Sequence, residues 1–306
     1  MKNKFVSSIL LASAITLAGT AIANAEMVFT GNAGYYNDAT YGGIVFKIGY
    51  GGTGSGTLAE GKTWTISNNV LIGCCPNNYQ PTFLHIYGTA NTQKNVYVSA
   101  ISRSGHCYVD GGTWNCGGMF QLGMQTMGTV TLRNKGTLTI EDSFRLNYGS
   151  SVTVNDSSVL KLTLESDGTF GNNGGIYVYS DAAINTITLA KADNLVIETT
   201  EYTNAADQFV LENFLATDQN IKPKLSSLSF SVNGNTFTAD DESALNRHLS
   251  GISVLGYENY EKKFVVNAET QSVALHLSKI PEPSAFGLLA GLGALACVAS
   301  RRRRQL

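Results

Sequence analysis

GTVTLRNKGTLTI, residues 128–140, holds two apolar-Thr-apolar triplets, each led by a glycine and separated by the turn Arg133-Asn134-Lys135-Gly136. Strict alternation sends one set of side chains inward and the other outward, which marks short half-buried strands. The same form returns at Ser150-Ser151-Val152-Thr153-Val154, at Leu162-Thr163-Leu164 and at Ile187-Thr188-Leu189. A shift of 22 residues lays Val130 and Leu132 on Val152 and Val154, and Leu138 and Ile140 on Leu160 and Leu162. The same shift carries Val154 onto Ile176. That length suits one turn of a coil in which several short strands stack on the turn below. The spacing therefore predicts an all-β chain, a right-handed parallel β-helix (β-solenoid) over 26 to about 200. The repeat breaks where Phe144 and Leu146 shift onto Ser166 and Gly168. An antiparallel β-sandwich gives the same alternation and stands as the alternative.

From about 201 to 279 the texture changes, and a β-rich C-terminal cap is expected. Residues 204–217, NAADQFVLENFLAT, read as the start of a short helix. SFSVNGNTFTA, 229–239, places Asn-Gly between two alternating runs, a hairpin signal. DDESALNRHL, 240–249, reads as a short helix or loop, and FVVNAETQSVALHL, 264–277, as a final hairpin.

The two ends carry addresses. Lys2 and Lys4, the apolar stretch from Phe5 to Ala18, and Ala23-Asn24-Ala25 read as a secretory signal over 1–25, cleaved before Glu26. The export route is then the Sec machinery. At 280–306, Pro281-Glu282-Pro283 precedes an apolar run, Ala285 to Ser300, and then Arg301, Arg302, Arg303 and Arg304. As a helix that run spans only about 24 Å, short for a hydrocarbon core of ~30 Å. The arginines would stay on the cytoplasmic side. The order Pro-Glu-Pro, short small-residue-rich helix, arginine block resembles a PEP-CTERM sorting signal. The resemblance covers Pro281 to Leu306 and nothing else. It implies recognition and processing at or near Pro-Glu-Pro by an exosortase, a membrane enzyme of certain Gram-negative bacteria. It also implies an inner-membrane intermediate and delivery to the cell envelope, outer surface or matrix, often in connection with exopolysaccharide.

GTLAEGKT, 56–63, matches the G-x-x-x-x-G-K-[ST] form of a phosphate-binding loop. That loop works only where a helix opens at the Lys-Thr. Here Gly61-Lys62-Thr63-Trp64-Thr65-Ile66 repeats the form of residues 136–140, so a strand is expected, with Trp64 and Ile66 pointing inward. Gly49, Gly51 and Gly54 fail as a dinucleotide fingerprint for the same reason.

Leaving out Lys2, Lys4, Glu282 and Arg301–Arg304, residues 26–279 hold 15 basic and 22 acidic side chains, a net charge of −7. That excludes a basic nucleic-acid stripe. Four cysteines fall in this stretch: Cys74, Cys75, Cys107 and Cys116. In an exported chain they read as disulfide candidates. Asp110-Gly111-Gly112 suggests a hairpin joining Cys107 to Cys116, and cross-pairing with Cys74 and Cys75 is the other option. A zinc site from His106, Cys107, Cys116 and Cys74 or Cys75 lacks paired C-x-x-C spacing. No metal and no cofactor is expected.

Asp142, Asp156, Asp167, Asp181 and Asp193 stand at turns and read as solvated. His85, His106, His248 and His276 lie in separate segments. Thr-x-Thr pairs at 63/65, 129/131, 137/139 and 186/188 raise the idea of a water-ordering rank. At a shift of 22 that run ends at Ser151/Thr153, so outward threonines read as ordinary strand residues. Tyr35, Tyr36, Tyr41, Tyr50, Tyr79 and Tyr87 are candidates to stack on sugar rings or to pack in loops. The expected role is a structural or adhesive envelope protein that binds surface polysaccharide or matrix, and not an enzyme. The alternative is an extracellular lyase or glycoside hydrolase.

Overall fold

The computed structural model describes residues 27–280 except 32, 39, 41–42, 50–53, 74–80, 100–103, 165–174, 200–206 and 219. Ala23, Ala25, Glu26, Cys74, Cys75, Pro281, Glu282, Pro283 and Arg301 to Arg304 lie outside the described residues.

The strands fall into three sheets. Sheet A runs β1 (Met27–Gly31), β4 (Gly54–Leu58), β7 (Thr82–Ile86), β10 (Gly105–Asp110), β13 (Gly128–Arg133), β16 (Ser151–Val154), β19 (Asn185–Leu189), β22 (Leu228–Val232), β23 (Asn235–Thr238). Sheet B runs β2 (Ala33–Asp38), β3 (Gly43–Ile48), β6 (Asn69–Ile72), β9 (Val96–Val98), β12 (Phe120–Leu122), β15 (Phe144–Leu146), β18 (Ile176–Val178), β21 (Gln208–Thr217), β26 (Ser272–Lys279), β25 (Tyr260–Asn267). Sheet C runs from β5 (Thr63–Ile66) through β8 (Thr89–Thr92), β11 (Thr113–Cys116), β14 (Thr137–Ile140), β17 (Val159–Leu164) and β20 (Leu195–Thr199) to β24 (Ser253–Val254). Every third strand is a neighbour, so each circuit of the chain lays one strand on each sheet. From β4 to β22 the pairing within sheet A is parallel, as it is throughout sheet C. An antiparallel sandwich does not pair this way.

The alternation read from residues 128–140 sets the core. Leu84, Cys107, Val130, Val152, Ile187 and Phe230 form one inward column, each at most 1% exposed. Trp64, Ala90, Trp114, Leu138, Leu160 and Leu195 form another on sheet C. Each large aliphatic or aromatic side chain in such a column contributes ~1.5–3 kcal/mol by leaving water. The 22-residue shift holds for β13 to β16 and for β14 to β17.

Four expectations are corrected. Val154 stacks on Leu189, whereas Ile176 faces Phe144. Extra residues, most of them between β17 and β18, lengthen that turn, so a fixed shift loses the register. The segment after 200 does not simply cap the stack: β21, β22 and β24 extend all three sheets in parallel before β23, β25 and β26 pair antiparallel. Residues 208–217 form strand β21, not a helix. Its buried Leu211, Phe214 and Leu215 imitate helical spacing because the register shifts between Leu211 and Leu215, with Asn213 at φ 55°. Asp110-Gly111-Gly112 turns a corner between sheets A and C and does not close a hairpin, because β10 and β11 pair with different strands.

At the other end β1 and β2 pair antiparallel to β4 and β3. The Asn-Gly hairpin joins β22 to β23, and α1 (Glu242–His248) is capped by Asp241, whose side chain accepts the Ala244 N–H. Thr63–Ile66 is a strand with Trp64 and Ile66 buried, where a phosphate-binding loop would require a helix.

Candidate functional site

The outward positions of sheet A form a grid. Strands lie ~4.8 Å apart, and outward residues along one strand are two residues apart, about 6.7 Å. Register places Phe83, His106, Thr129, Ser151, Thr186 and Ser229 in one column, and His85, Tyr108, Thr131, Thr153, Thr188 and Ser231 in the next. All are half-buried except Ser229, which is buried.

The β7–β10 end of this grid is aromatic. Phe83 stacks on His106 with ring centres 5.3 Å apart, and His85 on Tyr108 at 4.8 Å. Tyr87 continues the block at 6.3 Å from His85, nearly parallel to it at 7°. At these spacings parallel rings overlap with an offset, like shingles. Phe83, His85, His106 and Tyr108 are half-buried, and Tyr87 is exposed. Arg133 lies over the Tyr108 ring at 5.5 Å. Its Nη2 is 2.7 Å from Asp110 Oδ2, and Asn134 Nδ2 donates to Asp110 Oδ1 at 2.6 Å. His106 Nδ1 shares a 2.7 Å hydrogen bond with Thr129 Oγ1, which fixes the ring against the next strand. Burial holds His85 below the usual imidazole range, with Arg133 adding to the effect, and burial does the same for His106. Both rings are therefore neutral at pH 7.

From β13 onward the grid is hydroxyl. Thr129/Thr131, Ser151/Thr153, Thr186/Thr188 and Ser229/Ser231 stand in register on four successive strands, and Thr236/Thr238 of β23 follow. The run does not end at Ser151/Thr153. The 35-residue step from β16 to β19 hides its continuation from a 22-residue search. His85 and His106 do come from separate segments, and the fold sets those segments on adjacent strands of one face. Alternation plus an estimate of each turn's length is the signal that would have found both.

Sheet C presents a second polar face. Thr63, Thr89, Thr113 and Thr137 form one column, and Thr65, Asn91, Asn115 and Thr139 the next. Asn115 Nδ2 donates to Asn91 Oδ1 at 2.9 Å. Of the other tyrosines, Tyr35 packs edge-on against Phe46 at 5.0 Å, and Tyr36 packs against buried Val45 and Leu71. Tyr41, Tyr50 and Tyr79 lie outside the described residues.

Cys107 and Cys116 are both free and buried, on sheets A and C respectively. Burial raises both thiols, Cys116 to about 12. Among the described residues no group of three or more His, Cys, Asp or Glu is arranged to hold a metal ion. Asp156 is paired with Lys191 at 2.7 Å.

Strand β26 leads into the tail between two partners, β21 and β25. The Lys279 N–H donates to Asp207 O at 2.8 Å, and the Ile280 N–H donates to Asn259 O at 3.0 Å. Residues 279–304 match the PEP-CTERM protein-sorting motif. The tail is a PEP-CTERM sorting motif. It implies an exported protein, sorted by exosortase through the membrane to the cell envelope or surface. The PEP-CTERM match begins on the last residue of β26, so body and motif meet without a linker. Among the described residues no helix is long and apolar enough to cross a membrane. Among curated proteins and among solved structures, none is significantly similar to the chain.

Proposed function

We propose that this PEP-CTERM chain is a structural or adhesive component of the cell envelope that binds surface polysaccharide or matrix, and that it is not an enzyme. Its body is a right-handed parallel β-helix whose parallel strands run from β3 and β4 through β21, β22 and β24, closed by the antiparallel strands β23, β25 and β26. The right hand follows the general preference of parallel β crossovers. The observation that carries the reading is the outward face of sheet A. It is laid out in register over several strands and is dominated by hydroxyls and aromatic rings. Such groups donate and accept together, as sugar hydroxyls do. On the sheet A face the carboxylate of Asp110 is bound to Arg133 and Asn134 rather than poised as an acid or base. The sorting partner is an exosortase, with Sec as the export route.

The test is release. Cells producing the protein are fractionated before and after enzymatic digestion of their surface polysaccharide. Recovery on the surface, with release by digestion and an intact mass lacking 1–25 and the segment beyond about Pro281, supports the proposal. A full-length protein held in the inner membrane, untouched by digestion, refutes it.

A further inference from the structure

The outward face of sheet A has a period, a charge and a polarity, and together they select a class of ligand. Its period is the strand spacing, ~4.8 Å along the stack. That is close to the advance of one sugar unit in an extended β-1,4-linked chain. A polymer lying along the stack therefore meets a fresh pair of outward side chains at each unit. A polymer lying across it, parallel to the strands, meets only one strand and soon leaves the face.

The charge of the face is compensated. Asp110 on β10 is tied to Arg133 on β13 at 2.7 Å, and at the rim beyond β16 and β19 Asp156 is tied to Lys191 at 2.7 Å. Between these pairs the grid holds only Ser and Thr. Among the described residues of this grid, an anionic polymer finds no unpaired cation, and a cationic one finds no unpaired carboxylate.

The polarity changes along the grid in the order a polymer anchor needs. Phe83, His85, His106, Tyr108 and Tyr87 supply overlapping rings, on which the C–H faces of pyranose rings pack without charge. The Thr pairs of β13 and β19, with Thr153 of β16 between them, follow. Their branched side chains have few rotamers, so little entropy is lost when their hydroxyls are engaged.

From these three properties we infer that the sheet A face from β7 to β22 holds an extended, uncharged polysaccharide chain lying along the stack, one sugar unit per strand, with the aromatic block as its anchor. This site rests on the polysaccharide reading proposed above and adds its location and ligand class.

Affinity electrophoresis of the full chain in detergent tests it, with hydroxyethylcellulose as the neutral probe and alginate as the acidic one. The parent protein is expected to be retarded by hydroxyethylcellulose and not by alginate. Tyr108→Ala and Thr153→Lys are expected to weaken retardation at least about tenfold, 1.4 kcal/mol. Thr139→Lys makes the same change on the outward face of sheet C and is expected to match the parent. All three positions point outward, so thermal melts identical to the parent's are required of each variant. Thr188→Lys stands in for any that melts early. Parental retardation in Tyr108→Ala and Thr153→Lys, with loss in Thr139→Lys, overturns the site while leaving the polysaccharide reading intact. Retardation by alginate overturns the ligand class. A dimer that Thr153→Lys disperses overturns the inference by assigning the face to a second copy. Retardation by neither polymer also overturns it, and the proposed function is then judged by its own release assay.

Discussion

Replacing Gly112 with alanine measures how closely successive turns stack at the corner between sheets A and C. Gly88, Gly112 and Gly136 stand one above another there, each just before the first threonine of a sheet C strand. A Cβ on Gly112 would lie 2.5 Å from Gly88 O, 2.7 Å from Ile86 O and 2.9 Å from the Tyr87 carbonyl carbon. All three are backbone atoms of the turn beneath, so no side chain can swing aside. Ordinary contact begins near 3.4 Å, so the corner must open by about 0.9 Å. One hydrogen bond spans that gap, Thr113 N–H to Gly88 O at 2.8 Å. It contributes about 1 kcal/mol net, and a buried group left unmet costs about 1–3 kcal/mol. The substitution should therefore cost roughly 2–4 kcal/mol. At ~2–4 °C per kcal/mol for a chain of this size, Tm falls by roughly 4–16 °C. Gly61→Ala is the companion variant. Gly61 has φ +70° but nothing within 4 Å of an added Cβ, so only backbone strain of about 1–2 kcal/mol applies. Thermal melts followed by circular dichroism rank the two. If Gly112→Ala melts at or above Gly61→Ala, the stacking argument is refuted.

Three further outcomes are expected. Cys107 and Cys116, buried and with raised pKa, should escape brief alkylation of the native protein and react once it is unfolded; peptide mass mapping identifies them, and rapid native labelling at either position contradicts their placement. Because His85 and His106 titrate below their unfolded value of about 6.5, the unfolded chain binds more protons as pH falls through that value. Their contribution to stability is full above it and is lost on acidification. The His85→Gln, His106→Gln double variant should show a smaller drop in Tm between pH 7.5 and pH 5 than the parent; an unchanged drop removes these two residues from the account. Finally, the four residues Pro281–Ser284 span at most about 14 Å between Ile280 and the apolar run. An eight-residue Gly-Ser insert between Ile280 and Pro281 should therefore speed tail processing in a pulse-chase experiment, and an unchanged rate shows that the folded body does not restrict access.

How much of this was legible in the sequence depends on which direction in the stack a feature occupies. Features along a strand were readable. Val130 and Leu132 point inward because alternation is a property of one segment, and the same holds for Trp64 and Ile66. Features across strands need the length of every intervening turn, which alternation does not supply. Thr131 and Thr153 were placed together because their turn happens to have the period being searched, whereas Thr153 and Thr188 were not, because 35 residues separate them. Corner geometry failed for a related reason. Asp110-Gly111-Gly112 and a hairpin turn demand the same permissive residues, with Gly111 at φ +73°, and only the partner strands tell a coil's corner from a hairpin. The missed strand β21 shows the limit from within a segment: two extra residues between Leu211 and Leu215, with Asn213 at φ 55°, turned a period of two into an apparent helical period. Those same cross-strand relations create the candidate site. Phe83, His85, His106 and Tyr108 carry no motif as a linear string, and they become a single surface only because the step from β7 to β10 is 23 residues. A face written across turns in this way tolerates insertions within a turn, such as the one between β17 and β18, provided the inward columns keep their register. The outward grid and the hydrophobic core are therefore specified by the same pairing, so a substitution that slips a strand by one residue would lose both at once.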